Sequence, residues 1–324
     1  MLRRSAALIL ASPLWFPLLA LDPAEPSRIA IATAAARAVG SHDPDPFTRN
    51  PDWLAGQFLS PAELALIFSH PINRAVDQDP RISVQDPDNL PLIRLNTVRT
   101  RFIDDRLQQA VRAGAAQVVI LDAGLDSRPY RFRGPLEKTK IFEVDTPGMQ
   151  QLKKRRVHDV FGAAPPNVTY VTLDMNRQNL AEGLRKAGFR SSERTFLIWE
   201  GGSMYHPEQV VLDVLHFIAQ SAAGSLLVMD FAYKEDVARA RANPNSPQQR
   251  FDAAWGEPWL FGVPRDPGPE AFFRGLGLAP VELLPAGGPA AIRRYLTHRD
   301  LSIVGQGVAF NDEAPITLAE LSIR

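Results

Sequence analysis

An unbroken apolar run, Val118-Val119-Ile120-Leu121, sets the frame for this chain; Gln117 precedes it and Asp122-Ala123-Gly124-Leu125-Asp126 follows it. A β-branched run closed by a turn signal suits a strand buried on both faces, as in a parallel sheet covered by helices. Gly124 permits a tight turn and a close approach of backbone to ligand. A second strand is expected from Lys140 to Val144, ending on Asp145. An acid about twenty residues past the glycine is where a parallel α/β unit holds a ribose. A glycine after an apolar run is also a common way to leave a strand, so the pattern alone is only the outline of a nucleoside site.

The full dinucleotide fingerprint is absent, because Asp126 and Pro129 stand where further glycines belong. A nucleoside cofactor without a pyrophosphate fits better, and S-adenosylmethionine is the common one. Two other readings stay open at this point: a nicotinamide-dependent oxidoreductase, and a non-catalytic nucleoside-binding protein. Composition narrows the field. Lys plus Arg equals Asp plus Glu, 36 each, so no basic excess marks a nucleic-acid binder. There is no cysteine, and the six histidines are scattered without a ligand-pair spacing, so no metal site is expected.

In chain order, residues 1–26 are compositionally separate. Arg3 and Arg4 precede a mostly apolar stretch to Leu21, broken by Pro13 and Pro17. It has the basic start of a secretory signal without a good cleavage site, and is short for a spanning helix. It reads either as a membrane-associated leader or as a floppy or misassigned start. A methyl-donor cofactor made in the cytosol argues for a cytoplasmic protein, with membrane association through residues 1–26 as the open alternative. Ser27 to Val39 reads as a helix with Ser27 as N-cap and Gly40 as its stop. Ser60-Pro61-Ala62-Glu63 is a capping box opening a second helix, which should end near His70-Pro71. Asn89 to Ala113 carries Leu95, Val98, Phe102, Ile103, Leu107 and Val111 at helical spacing. Further strands are expected at Val168–Leu173, Thr195–Trp199 and Gly224–Asp230, then at Val281–Leu284 and Ile316–Ile323, the last antiparallel. Helices should run Pro147 to Val160 and Pro207 to Ala219. The run 232–275 breaks the strand–helix rhythm and is rich in proline and aromatics.

Several blocks now combine. GLDSRPYRF followed by FEVD, with NTVRTRFIDD upstream and LDMN and WEGGSMYHPEQ downstream, resembles the leucine carboxyl methyltransferase family, including its bacterial S-adenosylmethionine-dependent O-methyltransferase branch. The resemblance covers roughly Arg37 to Arg324. It implies a class I methyltransferase (Rossmann-like) α/β fold: a seven-stranded, mostly parallel sheet in a domain spanning 27–324, with an N-terminal helical arm over the cofactor and a lid insertion at about 232–275.

By the same resemblance, Arg99 matches the arginine that pairs with the cofactor's methionine carboxylate, for which a guanidinium offers two parallel donors. Arg37, on the arm, is either a second basic contact to that carboxylate or a solvated helix-face residue. Gly124, Asp126 and Asp145 belong to the nucleoside turn. Asp174 and Met175 are candidate adenine contacts, and Glu200 is expected to line the pocket. Asp122 departs from the small residue of many relatives; other methyltransferase classes carry an acid there, near the cofactor's methionine end. Tyr205 and His206 are the candidates for the transfer path. Methyl transfer from a sulfonium is an in-line displacement, so the protein must orient the acceptor and exclude water. A base is required only for a hydroxyl or amine, and His206 has the suitable unperturbed pKa. The expected activity is O-methylation of a carboxylate or hydroxyl on a small molecule; no partner protein or oligomeric state is implied.

Overall fold

The computed structural model describes residues 22–65, 91–243, 246, 249, 255–303 and 316–324. Residues 1–21 of the 1–26 leader, residues 244–245, 247–248 and 250–254 of the 232–275 insertion, and the end of the second helix near His70-Pro71 lie outside the described residues. In order, the described elements are α1 (Arg28–Gly40), α2 (Pro61–Leu64), α3 (Pro91–Arg112), β1 (Gln117–Leu121), α4 (Arg128–Arg131), β2 (Lys140–Asp145) and α5 (Pro147–Phe161). They continue with β3 (Val168–Thr172), α6 (Leu180–Lys186), β4 (Thr195–Trp199), α7 (Glu208–Ala219), β5 (Leu226–Phe231), α8 (Lys234–Ala242), α9 (Pro269–Gly275), β6 (Leu278–Pro285), α10 (Pro289–Tyr295) and β7 (Thr317–Ile323). Among the described residues no helix is long and apolar enough to cross a membrane.

The strands form one seven-stranded sheet in the order β3-β2-β1-β4-β5-β7-β6, parallel except where β7 runs against both β5 and β6. The chain moves outward from β1 first to β2 and β3, then back across β1 to β4 and β5. Ligands of open α/β sheets bind in the crevice at such a reversal, beyond the carboxyl ends of the strands. Alternate side chains of β1 feed two cores. Val119 and Leu121 pack with β2, β3 and α7, whereas Val118 and Ile120 pack with Val98, Phe102 and Leu107 of α3. Burial on both faces explains why β1, β2 and β4 read as near-continuous apolar runs. Ser27 caps α1 as its sequence suggests, accepting the Ala30 amide, and Ser60 closes a full capping box with Glu63.

Candidate active site

At the carboxyl edge of the sheet lies a cavity of about 430 Å³, floored by the ends of β1, β2, β3 and β4. Its cover comes from the chain around Asp22 and Pro23, from α1, and from the segment 256–260. The structure brings Asp122, Gly124, Asp126, Asp145, Asp174, Glu200, Tyr205 and His206 to this one wall. Arg99 and Met175, also singled out in the sequence, do not line it.

Asp145 ends β2 and turns its carboxylate onto the glycine turn after β1. Oδ2 accepts the Gly124 amide at 2.6 Å and Oδ1 accepts the Thr146 amide at 2.7 Å. Burial, and then the Asp122 carboxylate nearby, push its pKa up to about 7 against those two donors. Gly124 has a left-handed φ of 48°, and any β-carbon there would press on the Ala30 side chain of α1. Glycine is needed both for the turn and for the arm to lie this close.

Asp122, at φ 47°, is an uncommon non-glycine in that backbone region. Its Oδ2 accepts Trp199 Nε1 at 2.7 Å and pairs with His206 Nε2 at 2.9 Å. A β-carbon on Gly202 would overlap that oxygen, so Gly202 is what lets β4's exit pass over Asp122. His206 Nδ1 meets Asn176 Oδ1 at 2.8 Å, so the ring bridges the ends of β1 and β3 with both nitrogens engaged. Burial disfavours its charge, but Asp122 outweighs burial and holds the imidazole above its ordinary pKa. With both ring nitrogens tied to protein groups, the imidazole is held in place rather than free to turn toward an acceptor. Tyr205 packs against two apolar clusters, one holding Met204 and Trp259 and the other Ile29 and Trp255; burial raises its phenol pKa.

The arginines sit differently from the sequence-based expectation. Arg99 is buried, with Nε on Glu200 at 3.0 Å, Nη1 on Asp230 at 2.9 Å and Nη2 on Asn96 at 2.8 Å. It supports Gly201 from behind, and all of its nitrogens are committed to protein acceptors. Arg37 lines the cavity: Nε is bonded to Asp52 at 2.8 Å and Nη2 to the Leu125 carbonyl at 2.9 Å, which leaves Nη1 without a described protein partner. The solvated-face reading of Arg37 does not hold, since the residue is buried.

Arg128, which sequence reasoning passed over, ties the floor together. It binds Asp104 at 2.7 Å, and both Asp126 and Glu200 at 2.6 Å. Burial would raise the Glu200 carboxyl, but Arg128, Arg99 and Arg37 pull it down to about 2. Asp126 accepts the Arg128 amide and its side chain, a local clasp that shapes the turn. At the end of β3, Asp174 faces the cavity and accepts the Asn176 amide at 2.9 Å. Met175 beside it turns into the core with Val171, Leu173 and Leu180, away from any ring bound on that side. Asn176 and Arg177 are at the wall instead.

Residues 30–219 match the model of the leucine carboxyl methyltransferase family. A protein of Mycolicibacterium gilvum that carries the name of an S-adenosyl-L-methionine-dependent methyltransferase is 33% identical over 66% of this chain and 69% of its own. A similarly named protein of Parafrankia sp. is 35% identical over 70% of each chain. A solved structure from Thermobifida fusca, titled as a methyltransferase, superposes with a TM-score of 0.52 at 16% identity, covering 96% of this chain and 99% of that one. That last likeness is one of fold.

Proposed function

Because this chain belongs to the leucine carboxyl methyltransferase family and is an S-adenosylmethionine-dependent methyltransferase, we propose that it methylates an oxygen of a small molecule, and that the cavity at the carboxyl edge is where it does so. One observation supports this reading: Asp145 accepts the Gly124 amide and Arg37 donates to the Leu125 carbonyl, so both are bonded to a single turn, and both line the cavity. A carboxylate there suits ribose hydroxyls and a guanidinium suits the amino-acid carboxylate of the cofactor.

The wall fits such a cofactor electrostatically. Asp22, Asp122, Asp126, Asp145, Asp174, Glu200 and Glu257 line it against Arg37 and Arg177. An acid-rich wall suits a ligand bearing a sulfonium and an ammonium and opposes a pyrophosphate, which weighs against the nicotinamide reading. Asp122 keeps Oδ1 for the ammonium end while Trp199 and His206 fix Oδ2. Asp174 would take the adenine amino group. Arg99 and Arg128 hold Glu200 ionised and in place.

When bound, the cofactor supplies an activated methyl on a good leaving group, so the protein's work is orientation and exclusion of water. The arm and the segment 256–260 do the excluding. The same acid-rich wall favours an uncharged hydroxyl acceptor over a carboxylate, since Arg37 is assigned to the cofactor and the other lining guanidinium, Arg177, sits at Asp174. The test is incubation of the protein with methyl-labelled cofactor and a metabolite extract, followed by mild alkali. A labelled product that survives and is identified by mass spectrometry and NMR as a methyl ether supports the hydroxyl reading; a stable product methylated on nitrogen, sulfur or carbon overturns it. Release of labelled methanol marks an ester and overturns it.

A further inference from the structure

The cover of the cavity comes from two stretches far apart in sequence, and Glu257 joins them. Its Oε2 accepts the Ser27 hydroxyl at 2.7 Å; its Oε1 accepts the Arg28 amide at 2.9 Å and the Ile29 amide at 3.2 Å. Those amides belong to the first turn of α1, which has no intrahelical partners for them and carries the positive end of the helix dipole. Ser27 serves both sides, since its oxygen also accepts the Ala30 amide at 3.0 Å. Beside this, the Arg28 guanidinium lies 5.2 Å from the centre of the Trp255 ring. The carboxylate is withdrawn from solvent, only 6% exposed, and lines the cavity.

A helix start can be capped by its own serine, so a glutamate from the lid is not needed for α1 to form. What it adds is a joint between the two halves of the cover. The downstream part of the lid is anchored separately, through the Leu260 amide on the Met204 carbonyl at 2.6 Å and the Val263 amide on the Ala232 carbonyl at 2.9 Å. The arm is anchored by the Gly148 amide on the Pro23 carbonyl at 2.8 Å. Each half therefore stays attached to the body whether or not Glu257 is bonded.

We propose that Glu257 is a positioning residue that clasps the lid to the N-terminal arm above the bound cofactor, so that the cofactor leaves only after the clasp parts. The inference rests on the reading of this cavity as the cofactor site. The experiment is displacement of radiolabelled S-adenosylhomocysteine by excess unlabelled ligand from the full chain, comparing wild type, Glu257→Gln and Ser27→Ala. Melting of each variant without ligand accompanies it. The clasp predicts that Glu257→Gln dissociates at least tenfold faster, about 1.4 kcal/mol, and does not associate more slowly, with Ser27→Ala shifted the same way by a smaller factor. A purely structural role would lower the melting temperature and leave dissociation from the folded fraction unchanged. If Glu257→Gln fails to fold, Ser27→Ala decides: a dissociation rate equal to wild type overturns the clasp. Failure of the wild type to bind would instead overturn the cofactor reading itself.

Discussion

Arg99 donates Nε to Glu200 at 3.0 Å, both side chains being withdrawn from solvent. A second buried acid, Asp230, takes Nη1. Removing one partner of a buried pair strands the other, which costs about 3–5 kcal/mol. Arg99→Ala is therefore expected to lower stability by that order in a denaturant titration. Arg99→Lys, with a single point of charge for two acids, should recover only part of it. A variant with unchanged stability and lost cofactor binding would restore the direct-contact role that the sequence suggests.

Arg37 is expected to act on one end of the cofactor alone. Arg37 lines the cavity and its Nη1 has no described protein partner, so Arg37→Gln should weaken S-adenosylhomocysteine binding by about 10-fold or more, a charge-assisted bond being worth roughly 1.5–3 kcal/mol. Methylthioadenosine, which lacks the amino-acid carboxylate, should bind wild type and variant alike. Calorimetry with the two ligands checks this. Equal losses for both would show that Arg37 acts by holding Asp52 instead.

Asp145 links binding to pH, with opposite signs for the free and bound protein. Its folded pKa of about 7 lies above the ordinary carboxylate value. The stability contribution is thus fully present below about pH 4 and is lost as pH rises toward 7. The cofactor reading needs the ionised form, so affinity should grow over that same interval and level off above pH 7. The difference between wild type and Asp145→Asn, measured as melting temperature with and without S-adenosylhomocysteine from pH 5 to 8, isolates this group. A difference that does not vary with pH would contradict the assignment.

The sheet was legible because β1, β2 and β4 are buried on both faces and carry their apolar runs openly. The acids at strand ends, Asp145 and Glu200, were legible for the same reason, since the end of a buried strand has one direction to go. Pairings across long sequence separation were not. Glu257 meets α1 across some 230 positions, and Arg99 meets Asp230 across 131. No local pattern announces either. Met175 shows the limit within a loop: the residue after Asp174 was expected at the ring, but rotation of the chain beyond β3 sends it into the core and brings Asn176 to the wall. His206 was read from its intrinsic pKa, which says nothing of Asp122 and Asn176 holding both of its nitrogens. Arg37 was visible as a residue, yet its burial depends on Asp52 and Leu125, which only packing brings to it.

On the cofactor reading, Asp145 holds the ribose of an adenosyl cofactor at the glycine turn. Calorimetric titration of S-adenosylhomocysteine into wild type and Asp145→Ala tests it most directly. Saturable one-site binding to wild type is expected, with a loss of at least about 10-fold in the variant, from two hydroxyl bonds to a carboxylate. Equal affinity in the two proteins would contradict it.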